Sequence, residues 1–161
     1  GEIRAALNGM PVDFTMNDDH ATGQMTSVYA GLAAAGESSC YLIAPADMPR
    51  LTTFDCLLLL DAHDEAPDGC VTVPYRAHAG ARQRGNPVIL PASAAQFVLD
   101  GGINLGCRGL LYREPDLLHA FETDRDGFFV DMDTPDAYAD ELANAARYLP
   151  AGSERRHPEW N

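Results

Sequence analysis

The sequence predicts a three-layer α/β domain. Helices should cover both faces of a mainly parallel sheet, with an antiparallel element near the C-terminus. Three observations carry this prediction. Apolar runs at residues 40–44, 70–73 and 88–90 have the length of buried strands. Stretches of helix-forming residues alternate with these runs, as in chains that connect strands through helices. Two apolar runs, 40–44 and 128–130, end in acids and lead into helix starts. That order delivers carboxylates to the edge of a sheet, where α/β proteins bind ligands.

Taken in order, residues 3–7 read as the end of a helix broken by Asn8 and Gly9, and 12–16 as a short strand. Residues 17–20 form a polar loop with Asx-turn character, in which His20 is solvated. A helix runs from Thr22 or Gln24 to Ala35, with Met25, Val28, Leu32 and Ala35 as its apolar stripe and Gly36 at its C-cap position. After the first buried strand, Thr52 or Thr53 caps a helix to about residue 62. Leu57, Leu58, Leu59 and Leu60 make that helix apolar all round and predict that it is well buried. Residues 63–69 are a solvated turn. A short helix over 92–99 and a turn at Asp100, Gly101 and Gly102 precede strands at 117–121 and 128–130. The last helix spans 135–148, with Thr134 as N-cap and Pro135 at its first position. Residues 1–149 form a single domain, and residues 150–161 are a loose tail.

Two acidic stretches and one basic stretch stand out. Asp47 lies between Pro45 and Pro49, which restrict the backbone on both sides. Two readings of Asp47 are open: a ligand for a hard cation such as Mg²⁺, or a cap for the following helix. Asp131 and Asp133 are two apart, so in an extended strand they point the same way and are available to share a metal with Asp47. Residues 75–87 hold Arg76, His78, Arg82 and Arg84 with two glycines. This is either an anion-binding loop of arginine forks or an ordinary polar hairpin loop.

With 161 residues, 46% of them hydrophobic, the chain can bury a real core. A net charge of −13 excludes a basic nucleic-acid-binding face but not a nucleotide, which a metal ion and a few arginines can hold. All eleven basic residues are arginine. Cys40, Cys56, Cys70 and Cys107 are widely spaced, without zinc spacing, and read as buried free thiols. No signal-peptide pattern and no apolar run near ~20 residues is present, which predicts a cytoplasmic protein without a membrane span.

Ala46-Asp47-Met48-Pro49, Arg84-Gly85-Asn86-Pro87-Val88 and Asp131-Met132-Asp133-Thr134-Pro135, in this order and spacing, resemble the MobA-like nucleotidyltransferases, and among them the molybdenum cofactor cytidylyltransferases. Asn17, Gly23, Ser27 and Gly31 fit the same pattern, and the resemblance covers residues 2–142. It implies a Rossmann-like mixed sheet of the nucleotide-diphospho-sugar transferase type. It also implies transfer of a nucleoside monophosphate from CTP or GTP to a phosphorylated acceptor such as the molybdenum cofactor. Asp47 and Asp133 would hold Mg²⁺, with Asp131 supporting the second acid. Asn17, Ser27, Arg84 and Arg108 would contact the nucleotide or another anion, and a homo-oligomer is compatible with the family. For Ser27, a helix-start serine bonding its own backbone is the other reading; for Arg108, it is a helix-end salt bridge.

The sequence departs from the family in two places. The family's first strand and glycine-rich phosphate loop have no counterpart here, and Asn104 stands where the family usually has an acid. Two further expectations therefore sit beside the transferase: a binding module completed by another chain, and a fragment whose first strand is missing.

Overall fold

The computed structural model describes residues 2–101 and 115–144. Helix α1 (Glu2–Ala6) and a 3-10 turn (His20–Thr22) lead into α2 (Gln24–Ala35) and strand β1 (Cys40–Ile43). Then come α3 (Thr53–Asp64), β2 (Val71–His78), β3 (Ala81–Arg84), β4 (Val88–Pro91) and α4 (Ala92–Gly101). Strand β5 (Leu118–Glu122) and helix α5 (Pro135–Asn144) complete the described elements. The tail from 150, the far end of the last predicted helix, Asn104, Cys107 and Arg108 lie outside the described residues.

The five strands form one mixed sheet, but it is not mainly parallel. β1 pairs antiparallel with β4, and β2 pairs antiparallel with both β3 and β4. Among the described strands, only β2 and β5 pair in parallel. The connections explain the antiparallel pairs that β2 makes. Parallel neighbours need a crossover of a dozen or more residues, whereas β3 and β4 follow β2 through very short links. His78 faces Ala81 in register, leaving Ala79 and Gly80 as a two-residue turn, both with positive φ (50° and 79°). That is the backbone of a twisted hairpin turn. The basic stretch 75–87 is therefore largely a β-hairpin and not an open loop; an Ala-Gly turn lacks the Asn-Gly signal that marks such hairpins in a sequence.

Alternation along β4 builds the three layers. Val88 and Leu90 join Val71 and Val73, Leu32 of α2, and Ala94, Ala95 and Val98 of α4 in one core cluster. Ile89 points the other way and packs with Leu59 of α3 and Phe128. Helices α2 and α4 thus cover one face of the sheet and α3 the other. Each fully buried aliphatic side chain contributes about 1.5–3 kcal/mol.

Three local expectations are corrected. Residues 12–16 form no strand: no other strand lies beside them among the described residues, and Val12, Phe14 and Met16 are exposed. Residues 128–130 are not a strand either. A 3-10 turn at Asp126–Phe128 directs Phe128 into the core, where it is fully buried. Helix α3 is not buried all round, because Phe54 and Leu57 are exposed while Leu59 is fully buried. It lies on the sheet as an outer layer with one face open.

The start of α3 has its own polar anchor. Thr52 caps the helix: its Oγ1 accepts from Asp55 N, and Asp55 Oδ2 accepts from Thr52 N at 2.9 Å. Asp55 is buried and also pairs with Arg125. Burial opposes ionisation of Asp55, but the hydrogen bonds from Thr52 and Arg125, with the Arg125 charge, outweigh it and lower the pKa below 3.8. A lowered folded-state value means that the stabilisation is present above the ordinary carboxylate range and is lost as pH falls through the folded pKa. Asp55→Ala is expected to cost about 2 kcal/mol at pH 7. Denaturant unfolding should show the gap between wild type and variant narrowing below about pH 4; a gap unchanged down to pH 2 would contradict this account.

Candidate active site

Strand β1 stops at Ile43, and the chain turns at Ala46 and Asp47. Asp47 does not cap α3, since Thr52 does. Its side chain is half-buried, and Oδ1 is fully buried with no hydrogen-bond partner among the described residues. An unpartnered buried carboxylate oxygen is costly, so its environment fits a group that supplies positive charge or a donor. A hard cation meets that requirement, and the observation supports the metal reading over the capping one.

The second acidic motif comes to the same place. Met132 N donates to Asp47 O at 3.0 Å, which lays residues 131–133 against the end of the β1 segment. Asp131 and Asp133 are exposed and flank Met132 on a segment without strand pairing. Thr134 caps α5, with Ala137 N donating to its Oγ1 at 3.1 Å, and Pro135 takes the first helical position. Asp133 therefore sits immediately before a fixed helix start. Among the described residues, no group of three or more His, Cys, Asp or Glu side chains converges into an all-protein metal cage. Two carboxylates supplemented by substrate oxygens suit Mg²⁺ better than a transition metal.

A cleft of about 1140 Å³ is lined by β1, α2, Arg84 and Asn86. Ser27 and Arg84 both line it, with Tyr41 and Ile43 on the strand side; its lining reaches Pro45, two residues before Asp47. Asn17 lies in a smaller neighbouring cleft of about 450 Å³ that shares Ser27. Asn17 Nδ2 donates to Thr26 Oγ1 and to Ser27 Oγ, each at 2.8 Å, and its Oδ1 accepts from Asp19 N at 3.0 Å. Asn17 is thus a tie between the polar loop and the start of α2. Ser27 makes no bond to its own helix backbone among the described residues and lines both clefts.

The basic hairpin divides by partner. Arg76 donates to Gln83 and Asp126 and stacks on Phe129, 4.3 Å from the ring centroid. Arg82 pairs with Glu122 and stacks on Tyr75. Arg84 forms no ion pair among the described residues and faces the cleft. Its neighbour Gly85 is required by packing: a Cβ there would lie 2.5 Å from Phe128 O and 2.8 Å from the Phe129 ring. The bond between Asn86 and Pro87 is cis, and Asn86 N donates to Phe128 O at 2.8 Å. These contacts fix the backbone that carries Arg84.

The structure thus joins the predicted residues in two groups, Asp47 with the 131–133 segment, and Arg84 with Ser27 and, through it, Asn17. Sequence reasoning missed Asn86 as a cleft residue, although it lies within the quoted motif. It also missed Arg50, which bonds Asp126 and Glu141. The only local signal for Arg50 was its place three residues after Asp47. No described helix is long and apolar enough to cross a membrane. No curated protein matches the chain. A family model, that of the MobA-like NTP transferase domain, matches residues 1–117, most of the chain. The chain belongs to the MobA-like NTP transferase family, a family of nucleotidyltransferases.

Proposed function

We propose that this domain transfers a nucleoside monophosphate, CMP from CTP in the leading reading, to a phosphorylated acceptor such as the molybdenum cofactor, with Mg²⁺ held by Asp47 and Asp133. The observation that carries the reading is the buried, unpartnered Oδ1 of Asp47 beside the 131–133 segment. In the reaction an oxygen of the acceptor phosphate attacks the α-phosphorus, the bond to the β-phosphate breaks, and pyrophosphate leaves. Catalysis of this kind is positioning and charge neutralisation more than covalent chemistry. Bound Mg²⁺ would neutralise the phosphate oxygens. Asp47 supplies a carboxylate held between two prolines, and Asp133 one fixed by the capped start of α5. Arg84 offers a fork to a phosphate in the cleft, and Ser27 a hydroxyl to the base or ribose. Arg108 is the remaining proposed anion contact, and GTP is the alternative nucleotide.

A second reading, a binding module completed by another polypeptide segment, has one observation in its favour. β1 pairs only with β4 among the described residues, and its other side faces the cleft. Pyrophosphate release from CTP by the chain alone separates the two readings, since turnover excludes the module.

Asp47→Ala should abolish Mg²⁺-dependent CTP binding in calorimetric titration without lowering the stability of the metal-free protein, because the side chain caps nothing and its buried oxygen has no partner among the described residues. Asp133→Asn should weaken Mg²⁺ binding more than Asp131→Asn does. Equal loss of stability and binding at Asp47, or the reverse order of the other two acids, would reassign the site.

Arg84→Gln should weaken CTP binding about tenfold, the size of a lost charge-assisted hydrogen bond, with little change in Tm. Arg125→Gln should lower Tm through the loss of its pairing with Asp55 and leave CTP affinity unchanged. Equal effects of the two substitutions on the CTP dissociation constant would remove any special role for the hairpin arginine.

A further inference from the structure

Arg50 sits three residues after Asp47, and its guanidinium reaches both ends of the segment that carries the second acidic motif. Nε donates to Glu141 Oε2 at 2.9 Å, and Nη2 donates to Glu141 Oε1 at 2.5 Å, a bidentate fork onto α5. Nη1 donates to Asp126 Oδ2 at 3.0 Å, at the start of the same segment. The other Asp126 oxygen accepts from Arg76 at 3.1 Å. The Arg50 and Glu141 side chains are only 19% and 10% exposed, so the fork is largely shielded from solvent competition. Between these two anchors, Met132 N is bonded to Asp47 O. One side chain therefore holds residues 126–141 against residues 47–50, beside the point where Met132 N meets Asp47 O.

We propose that Arg50 is a positioning residue that sets the relation of Asp47 to Asp133, and through it the affinity of the pair for a divalent cation. The proposal rests on the reading that these two acids hold the cation. Electrostatics alone predicts the opposite effect. Arg50 is a positive charge near the acids, so removing it should tighten cation binding; loss of positioning should weaken it. The sign of the change separates the two causes. Lysine keeps the charge but cannot reproduce the fork onto Glu141.

The experiment is Mn²⁺ titration of the full chain, read by the spin-resonance signal of free Mn²⁺ and by water-proton relaxation, well below each variant's Tm. Arg50→Met and Arg50→Lys should each weaken Mn²⁺ binding about 10- to 100-fold, the range found when partners that orient metal ligands are lost. The bound ion should gain about one water as one carboxylate is released. Glu141→Gln keeps the shape of α5 and should weaken binding in the same direction, which covers the case in which Arg50 variants fail to fold. Arg125→Gln, which disturbs a different ion pair, should lower Tm without moving Mn²⁺ affinity. Affinity unchanged or tighter in the Arg50 and Glu141 variants, with binding still lost in Asp47→Ala, overturns the positioning role alone. Mn²⁺ binding unaffected by Asp47→Ala overturns both the positioning role and the cation site.

Discussion

The hydrogen bond from Met132 N to Asp47 O is the constraint on which the site depends. It joins the end of the first described strand to a segment near the far end of the chain. Without that junction the two acidic motifs would be unrelated surface features. The fold brings the segments near each other through β5 and the buried turn at Phe128. The Phe128 ring packs edge-on against Phe121 at 5.8 Å, and its carbonyl accepts from Asn86 N. Core packing on the α3 side of the sheet and the placing of the acids are thus one problem solved by one short stretch of chain.

Charge is distributed to the same end. The chain is strongly acidic and carries arginine as its only formally positive side chain. Arg50, Arg76, Arg82 and Arg125 are each engaged with a carboxylate. All of these pairings tie sequence-distant segments together; the exposed Arg82–Glu122 pair contributes little to stability, while the Arg50–Glu141 and Arg125–Asp55 pairs each have a largely buried carboxylate. The contrast between the engaged arginines and Arg84 is more informative than the number of arginines in the hairpin. Asp47 is the acidic counterpart: a carboxylate with a buried oxygen that nothing among the described residues satisfies. An arginine along the cleft and a carboxylate just beyond its lining, neither paired among the described residues, suit an anion accompanied by a cation.

Much of this was legible in the sequence wherever the signal was local. The α2 stripe at Met25, Val28 and Leu32 with its closing glycine, the Thr52 cap of α3, and the Thr134-Pro135 start of α5 are short-range devices, and each lies where the residues place it; Ala35, the last residue of the expected stripe, is exposed. The strand-end position of Asp47 was legible for the same reason. What failed depended on neighbours. Residues 12–16 have strand periodicity but no paired strand, and 128–130 are apolar because Phe128 plugs a core, not because they extend a sheet. The mainly parallel expectation failed because strand direction depends on distant pairing: β1 runs antiparallel to β4, which lies far along the chain, and no local pattern reports that. Arg50 and Glu141 meet across most of the chain, and such a contact leaves no trace in local pattern.

Paramagnetic broadening by Mn²⁺ in the amide spectrum of the full chain tests the central claim most directly, because it locates the ion without requiring turnover. The account predicts saturable broadening strongest at the amides of Asp47, Met48, Met132 and Asp133, with both motifs losing intensity together. Broadening centred on another acidic stretch, such as Asp18 and Asp19 or Asp64 and Glu65, with those four amides unaffected, would show that the two motifs meet for structural reasons alone.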